Sequence, residues 1–184
     1  MTDTTQIQTE INACVKTLRE NGFIIFPGET GWCIACSAAN AENITKMKTA
    51  EVFSDFTVLL DATGKLNKYI TDIPDALWDL VEFSTRPLTF LLATAVNLPG
   101  VLLNERNEIA FRIVKDDFTH RMLQRFSGSV LSASLPDHLK PAKGGNVTIL
   151  NTPAYMVNLR TGTTKDQGVI LRLSTGGRIE FIRK

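Results

Sequence analysis

The stretch Pro27-Gly28-Glu29-Thr30-Gly31-Trp32 sets a carboxylate, a hydroxyl and an aromatic ring around two glycines, directly after the apolar run Phe23-Ile24-Ile25-Phe26. A short loop at the end of a buried strand is where a rigid sheet offers side chains to a ligand, although a plain turn uses the same residue types. Just downstream, Trp32-Cys33-Ile34-Ala35-Cys36 carries two thiols at the spacing of a redox pair. A redox pair needs its first thiol at a helix N-terminus, where the dipole lowers the thiol pKa. Here the next helix signal comes only at Asn40, and strand positions three apart face opposite sides of a sheet. Cys33 and Cys36 are therefore expected in the core. His120 and His138 do not have zinc-finger spacing, and His120 lies in a helical stretch, which argues against a histidine-based triad. The sequence contains no Walker A loop, no Gly-x-Gly-x-x-Gly after a strand and no Gly-x-Ser-x-Gly elbow.

The elements that position the Pro27–Trp32 turn read as a mixed order of helices and strands. Ile7, Ile11, Cys14, Val15 and Leu18 recur at helical spacing after a Thr-rich start suited to capping, and Asn21-Gly22 ends that helix. Phe23 to Phe26 and Trp32 to Cys36 read as strands, and Asn40 opens a helix with Ile44 and Met47 on its buried side. Further strands are expected over 57–60, 88–92, 109–113 and 130–133, with helices over 74–83 and 118–126. The last third is strand-rich, over 147–150, 155–159, 169–173 and 179–182, and Ser174-Thr175-Gly176-Gly177 signals a hairpin. The fold class expected is α/β (α+β), one domain over residues 1–184, with a large twisted mixed sheet and flanking helices.

With 184 residues the chain is long enough for one substantial core, and no apolar run approaches the ~20 residues that a membrane span needs. The start, Met1-Thr-Asp-Thr-Thr-Gln6, lacks the basic and apolar regions of a signal peptide, and three cysteines make no disulfide framework. A cytoplasmic protein with no membrane partner is expected. Residues 1–92 carry 7 Lys and Arg against 12 Asp and Glu, whereas residues 93–184 carry 13 against 7. Either one side of the fold is basic enough to draw a nucleotide or an RNA backbone, or the halves interleave and the bias cancels.

In order along the chain, these motifs resemble the YrdC-like family of threonylcarbamoyl-AMP synthases. Pro27, Glu29, Thr30, Trp32 and Ile34 fall in register with the family's opening Pro-Thr-Asp-Thr-Val-Tyr-Gly-Leu stretch, and Ile44 and Lys48 with its Ile-x-x-Ile-Lys-x-Arg-Pro stretch. Arg86-Pro87-Leu88-Thr89 resembles the Gly-Pro-Leu-Thr strand, Ile109-Ala-Phe-Arg112-Ile the Val-Ala-Val-Arg-Val strand, and Val130-Leu-Ser132-Ala-Ser134 the approach to Ser-Ala-Asn. Val157-Asn158-Leu159 and Val169-Ile-Leu-Arg172 resemble the closing strands, so the likeness runs over roughly residues 5–175. The departures are Ala50 for the family's Arg, Glu51 for Pro, Ser54 and Asp55 for a basic residue and Pro, Gly28 for Thr, Pro136 for Asn, and Ala154-Tyr155 for Ser-Thr. The lost groups are those suited to phosphate and carboxylate oxygens.

The resemblance implies a concave ligand-binding face and a nucleotidyl transfer: L-threonine, bicarbonate and ATP with Mg²⁺ give threonylcarbamoyl-adenylate and pyrophosphate, for tRNA modification. It implies Lys48, Thr30 and Arg112 as catalytic groups, with Glu29, Trp32, Ser132, Ser134 and Arg172 holding substrate or nucleotide, and no structural metal. Implied partners are the small substrates, tRNA or double-stranded RNA, and proteins of the modification pathway. Three readings stay open: an active synthase with a remodelled pocket, a relative that binds a nucleotide or small anion without the chemistry, and an RNA-binding module.

Overall fold

In the computed structural model, which describes residues 4–159 and 166–184, the apolar runs assemble into one mixed sheet of ten strands. These are β1 (Phe23–Gly28), β2 (Gly31–Ser37), β3 (Ser54–Leu60), β4 (Leu88–Leu92), β5 (Ile109–Ile113), β6 (Val130–Ser134), β7 (Gly145–Ile149), β8 (Thr152–Met156), β9 (Val169–Leu173) and β10 (Ile179–Arg183). Their order across the sheet is β10-β9-β4-β5-β3-β6-β2-β1-β8-β7. The pairs β1/β8, β3/β5 and β4/β9 are parallel, while hairpins and β2/β6 are antiparallel. This is the α/β class that the sequence leads one to expect.

Strand alternation sends side chains to two separate cores. On one face, Ile25, Ile34, Cys36, Val58, Leu60, Phe90, Phe111 and Leu171 pack against α2 (Ala41–Thr49) and α3 (Ala76–Phe83). On the other, Ile24, Phe26, Cys33, Ala35, Leu59 and Val130 pack under α1 (Thr4–Arg19) and α4 (Asp117–Phe126). The second core stops at Leu59 and Val114, so β4, β9 and β10 contribute nothing to it. The helices that cover the face carrying Leu59 thus leave about half of that face without a helical lid.

Caps fix the helix starts. Asn40 Oδ1 accepts the Asn43 N–H at 3.0 Å to open α2, and Asp116 Oδ2 accepts the Thr119 N–H at 2.8 Å to open α4. The expected strand over 155–159 lies earlier, at Thr152–Met156. The cause is a two-residue hairpin: Ile149 pairs with Thr152, and Leu150 and Asn151 both take positive φ, 52° and 54°. Leucine is a poor residue for that conformation, so the turn carries no composition signal. No helix among the described residues is long and apolar enough to cross a membrane.

Phe111 is fully buried at the centre of the larger core and stacks on Tyr69 with ring centroids 6.3 Å apart. Phe111→Ala is expected to cost about 3–5 kcal/mol of stability, read from the midpoint of urea unfolding.

Candidate functional site

The site grows from the alternation of β5. Phe111 and Ile113 face the larger core, which turns Arg112 toward the opposite face, where it is 6% exposed. Its cross-strand partners are Thr89 on β4 and Leu59 on β3. Thr89 Oγ1 accepts two guanidinium N–H bonds, at 3.0 and 2.8 Å, and Thr30 Oγ1 accepts a third at 3.3 Å. Among the described residues no carboxylate forms an ion pair with Arg112. Burial lowers its pKa, opposed first by the nearby Glu29 charge, but arginine stays charged in proteins. Each threonine hydroxyl uses its oxygen on Arg112 and keeps its own proton to donate. The cluster is therefore a cation with hydroxyl donors, a suitable receptor for a carboxylate or phosphate oxygen.

The hairpin between β1 and β2 delivers Thr30. Gly28 pairs with Gly31, leaving Glu29 and Thr30 as a two-residue turn, and Gly31 takes φ 116°, a conformation that favours glycine. Glu29 Oε1 accepts the Lys115 backbone N–H at 2.7 Å, while Oε2 is buried without a partner. Burial raises the Glu29 pKa; the neighbouring Asp116 adds to this, and the Lys115 N–H and Arg112 oppose it. A cavity of about 330 Å³ adjoins the turn, bounded by Glu29, Ile113, Lys115, Leu88 and the Arg86–Asp166 ion pair. Lys115 Nζ donates to the carbonyls of Val81 and Ser84, at 2.7 and 2.6 Å, and so anchors the end of α3 there.

The other expected residues are distributed around this centre. Ser134 donates to Asp55 Oδ2 at 3.4 Å, and Ser132 donates to the Thr57 carbonyl at 3.2 Å inside the sheet. The Trp32 ring carries the Lys140 ammonium 3.9 Å from its centroid. Arg172 lies on the Arg112 face, but Glu108 and Glu180 hold it through bonds of 2.6 Å each, which raise its pKa. Lys48, in the last turn of α2, donates to the carbonyls of Val101 and Leu103, and burial lowers its pKa. No hydrogen bond or ion pair among the described residues joins Lys48 to Arg112 or Thr30.

Cys33 and Cys36 face opposite cores, and burial pushes their thiols up to about 11 and about 12, so neither is a reactive thiolate. Among the described residues no group of three or more His, Cys, Asp or Glu side chains is placed to hold a metal ion. Reading the sequence for site residues passes over Thr89, Asp55 and Arg183. Thr89 carries a signal, as the last residue of the Gly-Pro-Leu-Thr likeness. Asp55 sits where a proline was expected, and Arg183 lies beyond the span of the likeness.

One mixed sheet of ten strands with helices packed on both faces makes this an α/β domain, and its Arg112 cluster lies on the partly uncovered face. The family model named Sua5/YciO/YrdC, described as telomere recombination, matches residues 16–183. The chain belongs to that family. It is 26% identical over 179 residues to the threonylcarbamoyl-AMP synthase of Pseudoalteromonas translucida, covering 94% of this chain and 90% of the relative. The crystal structure of Escherichia coli YciO superposes with a TM-score of 0.74 at 18% identity, over 96% of this chain and 89% of that one. The P. abyssi Sua5 structure with L-threonine gives a TM-score of 0.67 at 16% identity, over 89% of this chain and 50% of that one.

A carboxyl whose pKa is raised by folding adds stability below its ordinary range and loses that contribution as pH rises through the folded value. Glu29→Gln keeps an acceptor for the Lys115 N–H and cannot ionise. Between pH 4.5, the ordinary value, and neutrality, the variant is expected to lose less stability than the parent in urea unfolding. Equal slopes would mean that Glu29 ionises in the fold without cost.

Proposed function

We propose that the protein is a nucleotidyltransferase of the threonylcarbamoyl-AMP synthase type. The observation that carries this is the buried Arg112 guanidinium, which bonds hydroxyl oxygens instead of a carboxylate. Burying a charge costs heavily unless something is gained from it, and a buried cation facing donors is what an anionic substrate requires. Kinship along 94% of the chain with a named synthase supports the same reading.

The reaction gathers negative charge at each step. The amine of L-threonine attacks the bicarbonate carbon and water leaves, giving a carbamate. A carbamate oxygen then attacks the α-phosphorus of ATP, and pyrophosphate departs. Mg²⁺ enters on the triphosphate, as part of the substrate. Arg112 would bind an oxyanion of the threonine, carbamate or phosphate, with Thr30 and Thr89 donating their hydroxyl protons to it. Because these groups are already oriented, charge developing in the transition state meets fixed donors with no reorganisation. Glu29, with its free oxygen, would face the positive end of the amino acid. Trp32 and Ser134 would help hold substrate in this reading, whereas Ser132 and Arg172 would first have to leave the Thr57 carbonyl and the Glu108 and Glu180 carboxylates. Lys48 joins only once its ammonium leaves the Val101 and Leu103 carbonyls. The product would pass to tRNA modification in the cytoplasm.

The engagement of Lys48 favours a second reading, binding of the nucleotide or a small anion without turnover. Incubation with ATP, Mg²⁺, L-threonine and bicarbonate separates the two. Pyrophosphate release and the threonylcarbamoyl-adenylate mass are expected from the parent, falling at least about a hundredfold in Arg112→Gln. A melting shift with ATP but no product would leave binding alone. RNA affinity that falls steeply with salt, without either, would turn the assignment to an RNA-binding module.

A further inference from the structure

Asp55 and Arg183 sit where they do because two strands are irregular. In β3 the register shifts by one residue between Ser54 and Thr57 against β6, and Asp55 within that bulge takes φ 54°. In β10 it shifts between Phe181 and Arg183 against β9, so that Arg183 pairs with Ile170. A bulge re-aims a side chain, and here two bulges aim opposite charges at one another. Arg183 Nη1 donates to Asp55 Oδ1 and Oδ2 at 3.2 Å each, and Ser134 adds its 3.4 Å bond to the same carboxylate. Arg183 is braced from behind by the carbonyls of Gly168, at 3.3 Å, and Gln167.

The register places this clasp over the Arg112 cluster. Arg183 pairs with Ile170, Ile170 with Thr89, and Thr89 with Arg112, so the two arginines share one cross-strand row and one face. Three strand spacings separate their backbones by about 14 Å, a span of the order of two arginine side chains and a phosphate between them. Arg183 and Asp55 are both among the charges that Arg112 senses.

On the reading that an oxyanion binds at Arg112, we propose that Arg183 is the second cation of that site. Asp55 then holds, in the free protein, the place that a phosphate of the ligand takes. The position expected to carry the family's arginine is Ala50, at the C-terminal cap of α2 and packed against the larger core. Arg183 supplies a guanidinium from the opposite end of the chain. Its bond to Asp55 is a gate: a pyrophosphate or triphosphate displaces the carboxylate and takes over both Arg183 and the Ser134 hydroxyl. The ligand class is a polyphosphate, since one carboxylate oxyanion would not span from Arg112 to Arg183.

Calorimetric titration with inorganic pyrophosphate tests this on the parent and on Asp55→Asn, Arg183→Gln, Arg112→Gln and the Asp55→Asn/Arg183→Gln double variant, with melting curves to confirm folding. Asp55→Asn is expected to bind about three- to tenfold tighter, and Arg183→Gln at least about tenfold weaker. In the double variant the gain from Asp55→Asn should vanish, because it acts through Arg183, which a merely structural role would not produce. If Arg183→Gln does not fold, Arg183→Lys takes its place, with a smaller loss expected because an ammonium cannot fork. Unchanged or weaker binding by Asp55→Asn, parent-like binding without Arg183, or a gain that survives in the double variant each overturns the inference. Loss of binding in Arg112→Gln alone would leave the Arg112 reading standing without it. Parent-like binding in Arg112→Gln would bring down both.

Discussion

A guanidinium buried in a sheet and bonded to hydroxyls is the constraint around which the rest of the structure is arranged. Arg112 is carried into the interior by the same strand that buries Phe111 and Ile113, so its position is set by the core and not by a mobile loop. Burial of a charge is unfavourable, and three structural features offset it: the Thr89 hydroxyl one strand away, the Thr30 hydroxyl on the β1–β2 turn, and the Glu29 charge beside it. Thr30 and Glu29 come from one turn and Thr89 from a strand some sixty residues further on. The cluster therefore exists only once the sheet order is complete.

That order also explains why the site lies where it does. The larger core runs under nearly the whole sheet, from Met156 on β8 to Leu173 on β9, and supplies the rigidity. The smaller core stops at Leu59, the cross-strand neighbour of Arg112, and at Val114, just past the end of β5. A polar group at that boundary is backed by packed hydrocarbon on one side and free of helices on the other. At that boundary Arg112 is 6% exposed. Arg112 and Thr89 are held by strands on both sides, whereas Thr30 and Glu29 reach the cluster from a two-residue turn.

Much of this was legible in the sequence, and the failures have physical causes. Short apolar runs gave β1, β2, β5 and β6, and the strand reading of Trp32 to Cys36 correctly sent Cys33 and Cys36 to opposite cores. The β7–β8 turn leaves no mark in the sequence because Leu150 takes a positive φ that no composition rule assigns to leucine. At the site, register with a family pattern points to both Thr30 and Arg112, and the structure bonds them directly. The same register pointed to Lys48, whose surroundings depend on the 99–103 segment reaching its ammonium, a contact across more than fifty residues that no local pattern encodes. Arg172 was seen as a cation, but its two glutamate partners arrive from β10 and from the residue preceding β5. Sequence indicates which side chains carry charge; only topology decides which of them remain available.

The uneven charge of the two halves is resolved by the same topology. β5 of the second half is inserted between β3 and β4 of the first, β6 lies between β3 and β2, and β8 flanks β1. The acidic and basic halves interleave, so the bias does not build one acidic and one basic side. Local pairs join the halves: Asp55 with Arg183 and Glu29 beside Arg112 follow the bias, and Arg86 with Asp166 runs against it. All three border the same region, around the β1–β2 turn and the Arg112 face. In two of them the cation already has a carboxylate bound to it, and in the third Arg112 has hydroxyls instead. Of these three cations, Arg112 is the one with no carboxylate bound to it. The interleaved order is therefore also what brings Thr30, Glu29 and Thr89 of the first half against Arg112 of the second.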